Sequence, residues 1–376
     1  MHTAHWDIFC RVIDNYGDIG VCWRLTADLA SRGQLVRLWV DEPAALLWMA
    51  PNAQHGTWEG VTVHDWRMAS DWATLSRLKP ADVWIEGFGC DIPQPFLAYH
   101  VALGLSQAPP AWINLEYLSA EPFTERSHRL PSPVMDGPAK GRTKHFYYPG
   151  FTPASGGLLR ESDLVQRQAD FDRERWLAGL GIRWQGEQLV SLFCYEPDAL
   201  AALVSVWQAQ ARPTRLLVTH GRAQAAIRAL PAGLWRSNTQ TSNLAIYFLP
   251  ALSQQDFDHL LWSCDLNLVR GEDSVVRALW AGRPFLWQIY PQQDNAHQAK
   301  LAAFLDLLQA PMSLRAAHAV WNAVDSGPMA PPELDAWSRW VTETRRRLSA
   351  QSDLITRLMD FIAVVRSQSI QQTENR

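Results

Sequence analysis

HWDIFCRVIDNYGDIGVCWRLTADLASRG, residues 5–33, changes its hydrophobic period part-way along. His5–Ile13 is a short, mostly apolar run, of strand length and too short for a buried helix. Ile19–Arg32 then follows a helical pattern, with Val21, Leu25, Ala27, Leu29 and Ala30 as candidate buried positions. Gly33 stands where a C-terminal cap belongs. A strand that feeds a helix through a polar turn opens a parallel α/β sheet. The alternation continues outward, with strands predicted over Gln34–Val40, Val61–Trp66, Asp82–Phe88 and Ala111–Leu118. A Pro/Gly-rich, loop-like stretch follows between Pro131 and Gly157, then a charged helical stretch, Asp163–Leu180. The pattern restarts with strands over Gln188–Tyr195, Arg215–Thr219, Leu244–Leu249, Asp265–Val269 and Pro284–Tyr290, separated by helices. From Asn295 onward the chain reads as helical, and its last residues, Gln371–Arg376, as a frayed end.

At 376 residues the chain is long enough for two domains. The expected division is 1–155, a linker over 156–183, and 184–359, with a terminal helix over about 360–376 packing back on the first domain. Each half reads as a doubly wound, Rossmann-like α/β domain, and the two are expected to face a cleft. With 47% hydrophobic residues both halves can bury a core, and most of the 19 tryptophans are expected there.

Net charge is −4. A nucleic-acid binder needs a basic face, so that class is disfavoured. The one locally basic stretch holds Arg126, Arg129, Lys140, Arg142 and Lys144. It reads first as a solvated loop and second as a docking surface for an acidic protein. Five cysteines, an odd number without a C-x-x-C pair, argue against a disulfide framework or a zinc site. No apolar leader and no run of 18 apolar residues is present, so no membrane association is expected and the expected location is the cytoplasm.

Ligands of open α/β sheets sit beyond the carboxyl ends of the strands. That rule selects three loops. The first holds Asp14, Asn15, Tyr16, Gly17 and Asp18, two carboxylates and an amide. Asp18 also fits a helix N-cap and Asn15–Gly17 a plain turn. The second holds Arg270, Gly271, Glu272, Asp273 and Ser274. There the N–H groups of a helix start and Ser274 can hold a diphosphate, with Arg270 as cation. The carboxylates must point elsewhere, one to cap the helix and one to accept from sugar hydroxyls. A charged first turn complementing the helix dipole is the plainer alternative. The third holds Phe193, Tyr195 and Glu196, where an aromatic can cover a nucleobase or a tyrosine hydroxyl can meet a phosphate. Two D-x-D pairs, Asp170/Asp172 and Asp256/Asp258, fall in helical patterns whose i and i+2 positions diverge. They read as helix surface, and no catalytic metal is expected. Gly87-Phe88-Gly89 starts a dinucleotide fingerprint that Ile92 breaks.

Two doubly wound halves in series match the GT-B glycosyltransferases, along with other two-domain α/β proteins, so architecture alone does not decide function. The strings CRVIDNYGDIGVCWR (10–24), DLNLVRGEDS (265–274), WAGRP (280–284) and IYP (289–291) carry more information. With them the chain resembles the protein-arginine rhamnosyltransferases that modify bacterial elongation factor P, in the same order over nearly its whole length. The resemblance implies a GT-B fold and inverting transfer from dTDP-β-L-rhamnose to an arginine of that factor. It implies an acceptor-binding first domain and a nucleotide-sugar-binding second one. It places catalytic aspartates at Asp14 and Asp18. Glu272 joins them as a catalytic candidate, and Asn15, Tyr16 and Gly17 join the donor contacts. The family's donor pattern maps onto Phe193, Tyr195, Gln254, Glu272, Asp273 and Ser274, with Arg270 beside them. The family carries an aromatic just before Leu252-Ser253-Gln254. Here that position is Ala251, so a different aromatic must cover the thymine. No cofactor or metal is implied. The rival readings are a GT-B enzyme with another acceptor and a non-catalytic nucleotide-sugar-binding protein.

Overall fold

The computed structural model describes residues 3–12, 16–51, 53, 58–103, 109–235, 243–291 and 296–374, with side chains as far as 368. The chain divides into two compact units. One comprises Met1–Ser162 with Gln351–Arg376, the other Asp163–Ala350.

The first unit is built on seven strands, β1 His5–Cys10, β2 Leu35–Val40, β3 Val61–Asp65, β4 Val83–Gly87, β5 Ala111–Leu115, β6 Pro131–Pro133 and β7 Thr143–Tyr147. Their order is β3-β2-β1-β4-β5-β7-β6, parallel throughout except for β6 against β7. Side chains alternate between the faces of a strand, and β1 shows the consequence. Trp6, Ile8 and Cys10 point to one core, Phe9 to the other. The first core takes in the helix Gly17–Ser31 and, from the far end of the chain, Leu354, Ile355, Leu358 and Ile362. The second stacks Trp39, Trp84, Trp112 and Phe96 around Phe9. Most of the strand residues near the centre of the sheet are apolar and buried, hence their near-continuous apolar runs. Asp7 is one buried exception, along with Glu86 and Asn114. The Asp7 carboxylate takes two 2.7 Å bonds from Arg37 and one from Trp39.

The second unit holds β8 Gln188–Leu192, β9 Thr214–Val218, β10 Leu244–Phe248, β11 Leu266–Arg270 and β12 Phe285–Gln288, all parallel in the order β10-β9-β8-β11-β12. Both units are therefore doubly wound.

The boundaries differ from those read in the sequence. Residues 156–162 belong to the first unit, where Leu158 and Leu159 are buried. Residues 163–183 belong to the second, with Leu177 and Ile182 in its core, so the expected linker is divided between the two. The chain returns to the first unit at Gln351, earlier than about 360. There Leu354 N–H bonds Leu158 O at 2.9 Å, and Arg32 pairs with Asp353 at 2.9 Å. The stretch 131–157, read as a loop, contributes β6 and β7. In the helix Gly17–Ser31, Leu25 and Leu29 are buried as expected, while Val21, Ala27 and Ala30 are half-buried. Ile19, Cys22 and Trp23 are buried as well, Cys22 against Gly87 of the sheet and Trp23 edge-on to Trp58 at 5.2 Å. Gly87 has a packing role. A Cβ there would lie 2.9 Å from both Phe9 O and Cys22 Sγ, so glycine lets this helix sit close on β1 and β4.

Candidate functional site

Each sheet reverses its strand order once, between β1 and β4 in the first unit and between β8 and β11 in the second. Loops leaving such a pair diverge, and that divergence makes the binding crevice of a doubly wound sheet. All three selected loops begin at these reversals, after β1 in the first unit and after β8 and β11 in the second.

In the first unit, Asp14 and Asn15 lie outside the described residues. The loop is anchored before them by Val12 N–H, which donates to Asp41 Oδ1 at 2.9 Å just past β2. After them the helix begins at Gly17, with Tyr16 in the N-cap position and no side-chain cap bond. Asp18 is therefore not the cap that its residue type fits. It stands one residue inside the helix, half-buried, where the positive end of the helix dipole favours a negative charge. The Tyr117 hydroxyl, from the loop after β5, lies 3.5 Å from Asp18 Oδ2, the outer limit of a hydrogen bond. Its ring stacks on Phe88 at 4.7 Å, and Phe88 takes a left-handed φ of 58°. Glu116 sits next to Tyr117. Partial burial raises its pKa, opposed by the Asn114 amide donating at 2.9 Å. Tyr16 is exposed, edge-on to Trp48 at 5.6 Å. The carboxyl edge thus offers carboxylates and a phenol, groups that suit a cation. Beneath it, Cys10 and Cys22 are buried. The hydrogen bond to Cys22, then burial, holds the Cys10 thiol well above its usual range, so it is no nucleophile.

In the second unit, Phe193, Tyr195 and Arg270 form one cluster. The Arg270 guanidinium lies 4.6 Å from both ring centroids and donates to Cys194 O at 3.1 Å. Burial lowers its pKa, yet an arginine this far above neutrality stays charged. Gln288, the last residue of β12, holds the loop by accepting from Tyr195 N–H at 2.7 Å. Burial raises the Tyr195 pKa, so its hydroxyl remains a donor. Gly271 precedes the helix Glu272–Ala281 in a left-handed conformation, φ 73°, and no side chain caps that helix. Its first N–H groups and Arg270 thus flank one loop, an arrangement suited to an anion.

The acidic residues of this loop settle unequally. Glu272 is paired with Lys300, from the helix Ala296–Leu307. Asp273 is half-buried in the first turn. The Ser274 hydroxyl donates back to Arg270 O, at the turn that opens the helix. Its backbone N–H still belongs to the first turn. Gln254 is half-buried and opens the helix Gln254–Ser263, capped by Ser253 accepting from Asp256 N–H. Phe257, inside that helix, meets Phe193 edge-on at 5.2 Å, while Ala251 is exposed.

The D-x-D pairs also need correction. Asp172 caps the helix Arg173–Gly179, and Asp170 ends the one before it. Asp258 is no surface residue. It is buried against Arg277. In the basic stretch, Lys144 pairs with the buried Glu86 at 2.9 Å and Arg142 is half-buried over Trp84. That stretch is not a simple solvated loop.

Arg222, Gln288 and Tyr117 also belong to the site region: Arg222 and Tyr117 follow the ends of β9 and β5, where the carboxyl-end rule applies, and Gln288 closes β12. Lys300 had no such signal, because it reaches Glu272 from a helix 28 residues further on.

The model of the family described as elongation factor P (EF-P) rhamnosyltransferase EarP matches residues 6–363. The protein-arginine rhamnosyltransferase of Pseudomonas aeruginosa is 41% identical over 387 residues, covering 96% of this chain and 99% of that one. The solved structure titled as the basis for EarP-mediated arginine glycosylation of EF-P superposes with a TM-score of 0.61 at 30% identity, over 96% and 98% of the two chains. Arabidopsis thaliana UGT89C1, complexed with UDP, gives a TM-score of 0.53 at 11% identity over 96% and 99%. That likeness speaks for the fold alone, which is GT-B.

Proposed function

Because the chain belongs to the elongation factor P rhamnosyltransferase family, we propose that it moves L-rhamnose from dTDP-β-L-rhamnose to an arginine of elongation factor P, with inversion, in the cytoplasm. The reading is carried by the reach of the family match, which spans both polar loops at the sheet reversals, 14–18 and 270–274. No helix among the described residues is long and apolar enough to cross a membrane.

The second unit takes the donor. Arg270, the Tyr195 hydroxyl and the N–H groups opening Glu272–Ala281 receive the diphosphate. With alanine at position 251, Phe193 and Phe257 are the aromatics available to the thymine. Glu272, Asp273 and Gln254 receive sugar hydroxyls. Glu272 can do so while Lys300 holds its carboxylate.

The acceptor sets the chemical difficulty. A guanidinium has a pKa above about 12, and a carboxylate near 4 cannot deprotonate it in advance. Asp14 and Asp18 instead hold the cation by charge-assisted hydrogen bonds and aim one nitrogen at the anomeric carbon. As the C–N bond forms, the bond to the dTDP oxygen breaks on the opposite face. The nitrogen becomes acidic only then, and its proton passes to Asp18. The sugar is oxocarbenium-like at that point, which nearby carboxylates favour. The diphosphate leaves with its charge met by Arg270 and the helix start.

Incubation with dTDP-rhamnose and elongation factor P should add one deoxyhexose to the factor by intact mass. No added mass, with dTDP still bound, would leave only a nucleotide-sugar binder. Addition to some other acceptor would point to a different glycosyltransferase. We propose further that no metal takes part, since protein groups meet the diphosphate charge. Activity should then persist in excess EDTA, and a loss restored by a divalent cation would show otherwise.

A further inference from the structure

Arg222 belongs to none of the donor contacts above, yet it stands among them. It opens the helix Arg222–Ala229 just past β9, the strand beside β8. Its guanidinium lies 5.0 Å from the centroid of the Tyr195 ring, the ring on which Arg270 sits at 4.6 Å. Two like charges are thereby gathered around one phenol. Arg270 is bonded to a carbonyl and packed on two rings. Arg222 is compensated by Glu196, through bonds of 2.9 and 2.6 Å. The Arg222 and Glu196 side chains are 45% and 52% exposed. An ion pair so open to water is weak and readily exchanged for another anion. A diphosphate offers two adjacent phosphates, and a guanidinium fork binds them better than it binds a screened carboxylate.

We infer that Arg222 is a diphosphate-binding residue of the donor site and that Glu196 is its stand-in anion, displaced when a nucleoside diphosphate binds. The inference rests on the donor reading above. It has a consequence that a merely structural ion pair lacks, because the two partners act with opposite sign. Arg222 adds to binding and Glu196 competes with it.

The test titrates the wild-type chain, Arg222→Ala and Glu196→Gln with dTDP and with dTMP by calorimetry. Arg222→Ala should weaken dTDP about tenfold and dTMP less than about twofold, the loss of a contact to the outer phosphate. Glu196→Gln should tighten dTDP about threefold. If both variants weaken dTDP together, or Arg222→Ala weakens dTDP and dTMP alike, the pair is structural and the inference is wrong. A wild-type chain that binds neither nucleotide overturns the donor reading itself, and this inference with it.

Discussion

Asp18→Asn should cut rhamnosyl transfer by at least about 10³-fold while dTDP affinity stays within about twofold of wild type. The amide keeps the shape of the side chain and removes two capacities. It cannot take the proton as the C–N bond forms, and it carries no charge to pair with the guanidinium. General-base participation alone is worth about 10²–10⁴ in rate. A lost charge-assisted bond to the acceptor adds to that. Asp18 stands in the first unit, and the groups proposed to receive the diphosphate and the thymine stand in the second, so binding of dTDP, which lacks the sugar, should not respond. The local fold should also survive, since Asp18 does not cap its helix and is only half-buried. The measurement is intact-mass kinetics on elongation factor P beside calorimetry with dTDP. Transfer at the wild-type rate would take the base role from Asp18 and pass it to Asp14 or another carboxylate. Loss of both transfer and dTDP binding would indicate damage to the fold.

The sheets were readable in the sequence because most of their central strand residues are apolar and buried. β1, β2, β4 and β5, and all five strands of the second unit, are short apolar runs separated by helical patterns, and their length, below that of a buried helix, identifies them as strands. β6 and β7 were missed for the same reason. β7 has one fully buried residue, Tyr147, and β6 is Pro-Ser-Pro, tolerable only at a sheet edge where the missing N–H groups face no partner. Loop positions followed from the strand ends, but side-chain partners did not. Asp18 fits a cap by residue type, yet the chain turns into the helix two residues early, with Tyr16 in the cap position. The Ser274 hydroxyl donates to Arg270 O, a partner that residue type alone does not name. Partners such as Lys300 for Glu272 are set by packing of distant helices, which no local pattern encodes. The family strings supplied what periodicity could not, a chemical identity for the loops.

Arg277→Met should strongly destabilise the second unit, beneath the proposed donor site. Arg277 and Asp258 are both about 1% exposed and joined by bonds of 2.9 and 2.7 Å. Removing the arginine leaves a carboxylate enclosed without its main partner, and Arg167, 3.8 Å away, is too distant to replace the fork. Breaking a buried pair from one side costs about 3–5 kcal/mol. For a unit of this size each kcal/mol moves the melting temperature by about 2–4 °C, so the fall should be roughly 6–20 °C. The pair also ties the helix Gln254–Ser263 to the helix Glu272–Ala281, and each presents a proposed donor residue at its first position, Gln254 and Glu272. Arg277→Met should therefore weaken dTDP binding even well below its melting temperature. Replacing both partners, Asp258→Leu with Arg277→Met, removes the stranded charge and should recover most of the lost stability, because apolar side chains of similar volume can replace a buried pair at little cost. Calorimetric melting of the single and double variants decides the matter. If the double variant melts as low as Arg277→Met, the cost lies in the lost shape of the arginine and not in the charge left behind.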